Sequence, residues 1–268
     1  MSFNPFSENL AWLWDIIALV ISLICVMMVV QINGQIQKSG KLPTYVTRKI
    51  VHILAAPVFI LTWLFFSGSV FSRYIASIVP ILFIVQFTLI GTGKMKDEAF
   101  IRSMSRSGDP RELLKGTLYY AVILFIVTIL WFYLPSSGTE NANPAALVIL
   151  GCLAGGDGFA DIVGRKFGGE KKFGLFGAEK TIVGTIAMFV GSFVFSFGLI
   201  AIFPISTPEF NLVQFLLPTF IICLLVTIVE AISPPNSDNL TIPISVVVMI
   251  VVFALWIPSL WPFPIISL

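Results

Sequence analysis

The chain has 268 residues, 57% of them hydrophobic and only 11% charged, under half the roughly 25% charged residues of a soluble domain. A mean hydropathy of +0.98 and a net charge of +2 leave no basic surplus for nucleic acid. They imply an all-α, polytopic integral membrane protein, read here as one domain over residues 1–268. The opening MSFNPFSENL has no basic region ahead of an apolar core, so it is expected to be retained and not cleaved as a signal peptide.

Eight apolar segments approach spanning length, at roughly 11–31, 50–66, 74–90, 116–134, 144–164, 184–204, 212–232 and 241–260. The fifth is interrupted by Gly155, Gly156 and Asp157. Its inner end is expected to break or unwind, which is tolerated only where protein or a cavity covers the backbone. Cys25, Cys152 and Cys223 lie within apolar runs, far from one another in the chain and without metal spacing. They read as small buried hydrophobes.

Orientation follows from the cations. Fifteen of the sixteen Lys and Arg fall in alternate loops. Lys38, Lys41, Arg48 and Lys49 occupy the first. Lys94, Lys96, Arg102, Arg106, Arg111 and Lys115 occupy the third, and Arg165, Lys166, Lys171, Lys172 and Lys180 the fifth. Arg73 lies on the other side with Glu140 and Glu209. The positive-inside rule makes the three basic loops cytoplasmic and puts both termini outside. Asp15, near the outer end of the first span, reads as interfacial.

Four polar stretches then fall on the cytoplasmic side. In TRKIVHIL, Arg48, Lys49 and His52 share one helix face; an interfacial anchor with a packed histidine is the plainer interpretation. DPRELLKGTLYY at 109–120 reads as a headgroup anchor or a solvated helix face. The stretch from Gly155 to Thr185 is the densest. Asp157 and Asp161 are one helical turn apart, and Ala160, Gly164 and Gly168 form a small-residue stripe open to a close backbone or a ligand. Lys171, Lys172 and Lys180 follow, and Thr181 stands where a new helix should begin, aiming free N–H groups at the loop. Carboxylates for a metal, lysines for phosphates and glycines for close approach suggest a nucleotide site. In EAISPPNSDNLTIP, Pro234, Pro235 and Asn236 mark a turn. Glu230 sits inside a span, where a carboxylate is expensive and by default functional. Gly174 to Thr181 reads GLFGAEKT, but Glu179 stands where a P-loop needs its second glycine, and no strand precedes it.

Asp157-x-x-Ala160-x-x-x-Gly164-x-x-x-Gly168, followed by Lys180-Thr181-x-x-Gly184, resembles the CTP-binding signature of the dolichol kinase and phytol kinase family. RKIVH at 48–52, RELLKGTLYY at 111–120 and EAISPPNSDNLTIP at 230–243 match in order, so the resemblance runs from the second span to the eighth. Val183 departs from the acidic residue that many relatives carry. The resemblance implies transfer of the γ-phosphoryl of CTP, or UTP, to a long-chain isoprenoid alcohol at the cytoplasmic face of a bilayer. It implies Mg²⁺ on Asp157 and Asp161, with Glu230 as a further ligand, and a base role for one of the two aspartates. Lys180, Lys172 and Arg165 would hold phosphates, and Arg48, Lys49 and His52 would position the attacking hydroxyl or complete a positive pocket. Gly158, Gly164, Gly168, Thr181, Gly184, Asp238 and Asn239 would line the nucleotide. The central stretch is similar to phosphatidate cytidylyltransferases as well. Their late His-Gly-Gly and Asp-Arg-x-Asp signature is absent, since no histidine follows His52. A transporter would also use a broken helix and polar spans, but no inverted repeat is visible here.

Overall fold

A computed structural model describes residues 5–105, 107–133, 143–175, 178–203, 212–235 and 237–266. Arg106, Glu140, Glu209, Asn236 and the 176–177 part of GLFGAEKT lie outside the described residues. Among those described, all regular structure is helical apart from one isolated bridge between Phe173 and Lys180. Seven helices are long and apolar enough to cross a membrane. The chain divides into two compact units, one running to Thr128 and the other from Ile129.

In the first unit, α1 (Ala11–Lys38) packs on α2 (Thr44–Thr62) and α3 (Ser72–Gly91). It ends where Gly40, at φ +67°, turns the chain back so that its N–H reaches Gln37 O. α2 begins about two turns before the apolar run, because Pro43 sets the entry φ and charged side chains do not interrupt a helix. Arg48, Lys49 and His52 are therefore helical, and Lys49 is buried. α4 (Glu98–Met104) is capped by Asp97, whose carboxylate accepts from Phe100 N–H at 2.9 Å. Val51, Phe87, Ile90, Phe100, Met104 and Leu113 form the core at this end. α5 (Gly116–Trp131) follows.

Asp15, expected near the outer end of the first span, does not face solvent. It is wholly buried, accepting from Ser67 N–H at 2.7 Å, from the Ser72 hydroxyl at 2.7 Å, and from the Ser67 and Ser69 hydroxyls at 3.0 Å. A buried carboxylate needs such donors, and a short serine-rich turn supplies them.

The second unit is built around one long helix, α6 (Ala145–Leu150) running through Gly151–Gly156 into α7 (Asp157–Phe167). Every residue from Asn143 to Gly158 is buried. The expected break does not occur. Gly151–Gly156 forms a π-helix, which widens the turn but keeps the backbone bonded. α8 (Ile182–Ile202) packs along it, α10 (Asp238–Trp256) covers α6 and the π-turn, and α9 (Leu216–Ile232) lies on α8 and α10. α9 corresponds to the seventh apolar segment, but its 17 residues fall short of the seven spanning stretches, of which Pro110–Trp131 joins α5 to the turn before it. Cys152 and Cys223, distant in the chain, lie with their sulfurs 3.8 Å apart and unbonded.

Candidate phosphate-binding site

The small-residue stripe admits a backbone, and that backbone is α8. A Cβ on Gly155 would stand 2.7 Å from Gly191 O, and one on Gly184 would stand 3.1 Å from both Ala160 O and Gly164 Cα. The first distance is shorter than real side chains make and the second tighter than most, so these glycines let the two helices touch. Gly164, Gly168 and Gly184, expected along a nucleotide, have α8, α7 and Thr181 as their observed neighbours. Gly158 is buried. Their structural effect is to fix where α8 starts.

That start is capped as the sequence suggests. Thr181 takes an extended conformation and its hydroxyl accepts from Gly184 N–H at 3.1 Å. The loop leading to it closes on itself. Phe173 and Lys180 exchange backbone hydrogen bonds, both 2.8 Å, and the tight return needs Gly174 at φ +148°, where a Cβ would meet Ala178 O at 2.4 Å. Lys180 is thus delivered to one fixed level beside the first turn of α8.

Its ammonium points at the end of α9 and the beginning of α10. Lys180 Nζ donates to Glu230 Oε1 and lies 3.6 Å from Asp238 Oδ1. The Glu230 side chain is only 3% exposed, whereas those of Lys180 and Asp238 retain 20% and 23%. Burial draws the Lys180 pKa down, but Glu230, Asp238 and the nearby Asp157 outweigh it and lift the pKa above the ordinary lysine value. Asp157, the first residue of α7, is buried. Asp161, one turn on, accepts from Arg165 Nε at 2.6 Å. Asp157, Lys180, Glu230 and Asp238, from four separate stretches of the chain, therefore share one electrostatic cluster, in which the observed partner of Glu230 is an ammonium.

Other expected residues take different places. Lys172 pairs with Glu179 on the exposed loop, and its hydrogen bond and charge hold the Glu179 carboxyl below the usual range. Asn239 follows Asp238 in the first turn of α10. Arg48, Lys49 and His52 belong to the first unit. There the His52 carbonyl accepts from the Tyr120 hydroxyl at 2.8 Å and the two rings stand 4.4 Å apart. Tyr120 and Glu179 were missed in the sequence. Tyr120 ends the RELLKGTLYY motif, but nothing in that string indicates a histidine nearly seventy residues away. Glu179 carried a signal, being with Glu170 one of two acids set among the lysines of this stretch.

Among the described residues no three His, Cys, Asp or Glu side chains are gathered to hold a metal. The hard oxygen donors Asp157 and Asp161 still suit Mg²⁺, which is usually bound by one or two carboxylates together with substrate phosphates.

The chain is 36% identical over 218 residues to a probable phytol kinase 2, chloroplastic, of Oryza sativa subsp. japonica, covering 79% of this chain and 67% of that protein. It is 38% identical over 218 residues to a farnesol kinase, chloroplastic, of Arabidopsis thaliana, covering 79% and 66%. With a probable phytol kinase 3, chloroplastic, of Glycine max the identity is 33% over 237 residues, covering 86% and 70%. No family model matches the chain, and no solved structure matches it.

Proposed function

Because the chain belongs to the family of phytol and farnesol kinases, we propose that it transfers the γ-phosphoryl group of CTP, with UTP as the alternative donor, to the hydroxyl of a long-chain isoprenoid alcohol. The reaction takes place at the cytoplasmic face of the membrane. The observation that carries this reading is the Lys180 cluster: a half-buried ammonium beside a capped helix start, facing carboxylates from α7, α9 and α10.

Phosphoryl transfer asks a protein mainly for positioning and charge neutralisation. Lys180 supplies a point charge for the phosphate chain, exchanging its carboxylate partners for phosphate oxygens. The N–H groups at the start of α8 lie beside it and favour the same anion. Asp157 and Asp161 would hold Mg²⁺, which would supply charge neutralisation for the transferring group. One of the two accepts the alcohol proton as the hydroxyl attacks. Arg165, paired with Asp161, keeps that carboxylate in place until substrate arrives. The apolar chain of the acceptor stays in the bilayer while the nucleotide comes from the aqueous side, so the two meet at headgroup level.

Incubating the purified protein with γ-labelled CTP and a panel of phytol, farnesol, geranylgeraniol and polyprenols tests this reading. Label in a lipid monophosphate with release of CDP is the expected result. Release of pyrophosphate would instead mark a cytidylyltransferase. Orientation has its own test. A cysteine replacing Gly169 should react with an impermeant thiol reagent only from the cytoplasmic side; reaction from outside would reverse the topology.

A further inference from the structure

We propose that the described part of the loop joining α7 to α8 is seated in the headgroup layer of an anionic bilayer, with Phe167, Phe173 and Leu175 in the acyl boundary and Lys166 and Lys171 on lipid phosphates. Three large apolar side chains on or beside this loop are exposed: Phe167 to 61%, Phe173 to 41% and Leu175 to 55%. Isolated exposed apolar residues need no explanation, but these alternate with exposed Lys166, Lys171 and Lys172. Apolar and basic side chains interleaved at a helix end are the pattern of an interfacial segment. Lys166 lies over the ring of Phe167 at 5.2 Å, so the cation and the apolar face are offered together.

Both roots of the loop are at a membrane boundary. α7 closes the Ala145–Phe167 span, and α8 opens a span whose first residue, Ile182, is 64% exposed. The described segment between them has little room to rise into water, because the Phe173–Lys180 bridge folds it back on its own base. Its acids do not oppose the lipid: Glu179 is neutralised by Lys172, and Lys166 with Lys171 outweighs Glu170. The occupant that fits is therefore a lipid surface continuous with the one the spans already cross.

The bridge gives the contact a consequence. Phe173 and Lys180 are joined through both of their backbone hydrogen bonds, so a Phe173 ring anchored in lipid fixes the height of Lys180 relative to the membrane surface. This link does not depend on the phosphoryl donor or on the acceptor alcohol.

Depth measurement on the full-length protein tests it. Cys25, Cys152 and Cys223 are replaced by alanine, and a nitroxide is attached at Leu175→Cys or, as a reference, at Gly169→Cys. Each is reconstituted in vesicles of phosphatidylcholine with or without phosphatidylglycerol. The expected result is a label at 175 reached more readily by oxygen than by a water-soluble nickel chelate, with the reverse at 169. Omitting phosphatidylglycerol, or introducing Lys166→Gln with Lys171→Gln, should move the 175 label towards water. A label at 175 equally open to the nickel chelate in both lipids would overturn the proposal. A label shielded from both reagents would overturn it too, because protein and not lipid would then cover the loop.

Discussion

Asp15 and Glu230 are both carboxylates buried within apolar helices, one in each compact unit, and the protein neutralises them by opposite means. Asp15 is surrounded by neutral donors: one backbone N–H and the hydroxyls of Ser67, Ser69 and Ser72. These are short groups fixed by the turn that carries them, and none can leave without opening that turn. Glu230 is satisfied by one long side chain, Lys180, which also lies 3.6 Å from Asp238. A lysine on a flexible stem can change partners when a better anion arrives. Burial is nearly the same in the two cases, 0% and 2%, so burial alone does not identify a working carboxylate. The kind of partner, a fixed serine turn or a flexible lysine, is what separates the two.

The comparison can be broken most forcefully at Asp157, in the Lys180 cluster, and at Asp161, one helical turn on. Asp157→Asn and Asp161→Asn each remove a negative charge with little change of shape. Turnover should fall roughly 100- to 1000-fold, the scale of losing one oriented electrostatic group at a reacting centre, while the melting temperature in detergent stays close to that of the parent. Near-parental turnover in both variants would reduce these aspartates to helix-end residues.

At the other carboxylate the effects should be reversed. Asp15→Ala strands several buried donors and should cost about 1–3 kcal/mol of stability, whereas Asp15→Asn, which keeps an acceptor, should cost less. The apparent affinity for CTP should be unchanged in whichever of these variants folds. An altered CTP affinity with intact stability would show that Asp15 does not have the purely structural role argued from its serine cage.

Smaller effects are expected where the glycines set the start of α8. Gly184→Leu places a side chain against Ala160 O and Gly164 Cα, and such overpacking should cost about 1–3 kcal/mol. Thr181→Ala removes only a cap and should cost roughly 1 kcal/mol. Thermal melts of the two variants side by side check the order; a greater loss in Thr181→Ala would contradict the close helix contact.

Much of this was legible in the sequence, for specific reasons. Hydropathy located seven helical stretches of spanning length, because a bilayer demands length and apolarity together, and the seventh apolar segment proved to be the shorter helix α9. Thr181 announced its cap because a hydroxyl immediately before a long apolar run, three residues ahead of Gly184, is the ordinary N-cap pattern. The Glu230 carboxylate stood out because a charge inside a span is costly. What could not be read was partnership across the chain. The serines at 67, 69 and 72 are ordinary turn residues until Asp15 is brought to them, and Lys180 looked like a phosphate ligand with no sign that Glu230 holds it. Gly155 and Gly156 suggested a break because glycine weakens a helix. They serve instead as a contact surface, and α8 stabilises the backbone they loosen. The helix face shared by Arg48, Lys49 and His52 was legible from their spacing, but the burial of Lys49 was not, because hydropathy stops at a charge.

The central claim is that Lys180 is an exchangeable cation for phosphate and not a fixed structural partner of Glu230. The most direct test is the CTP dependence of Lys180→Ala combined with Glu230→Gln, so that no buried carboxylate is left unpaired, against Lys38→Ala, which removes an exposed lysine at the end of α1. The apparent KM for CTP should rise about tenfold or more in the first protein, the worth of a lost charge-assisted hydrogen bond, and stay at the parental value in the second. Equal KM values in the two, with both proteins folded, would contradict the claim and leave Lys180 as an internal ion pair.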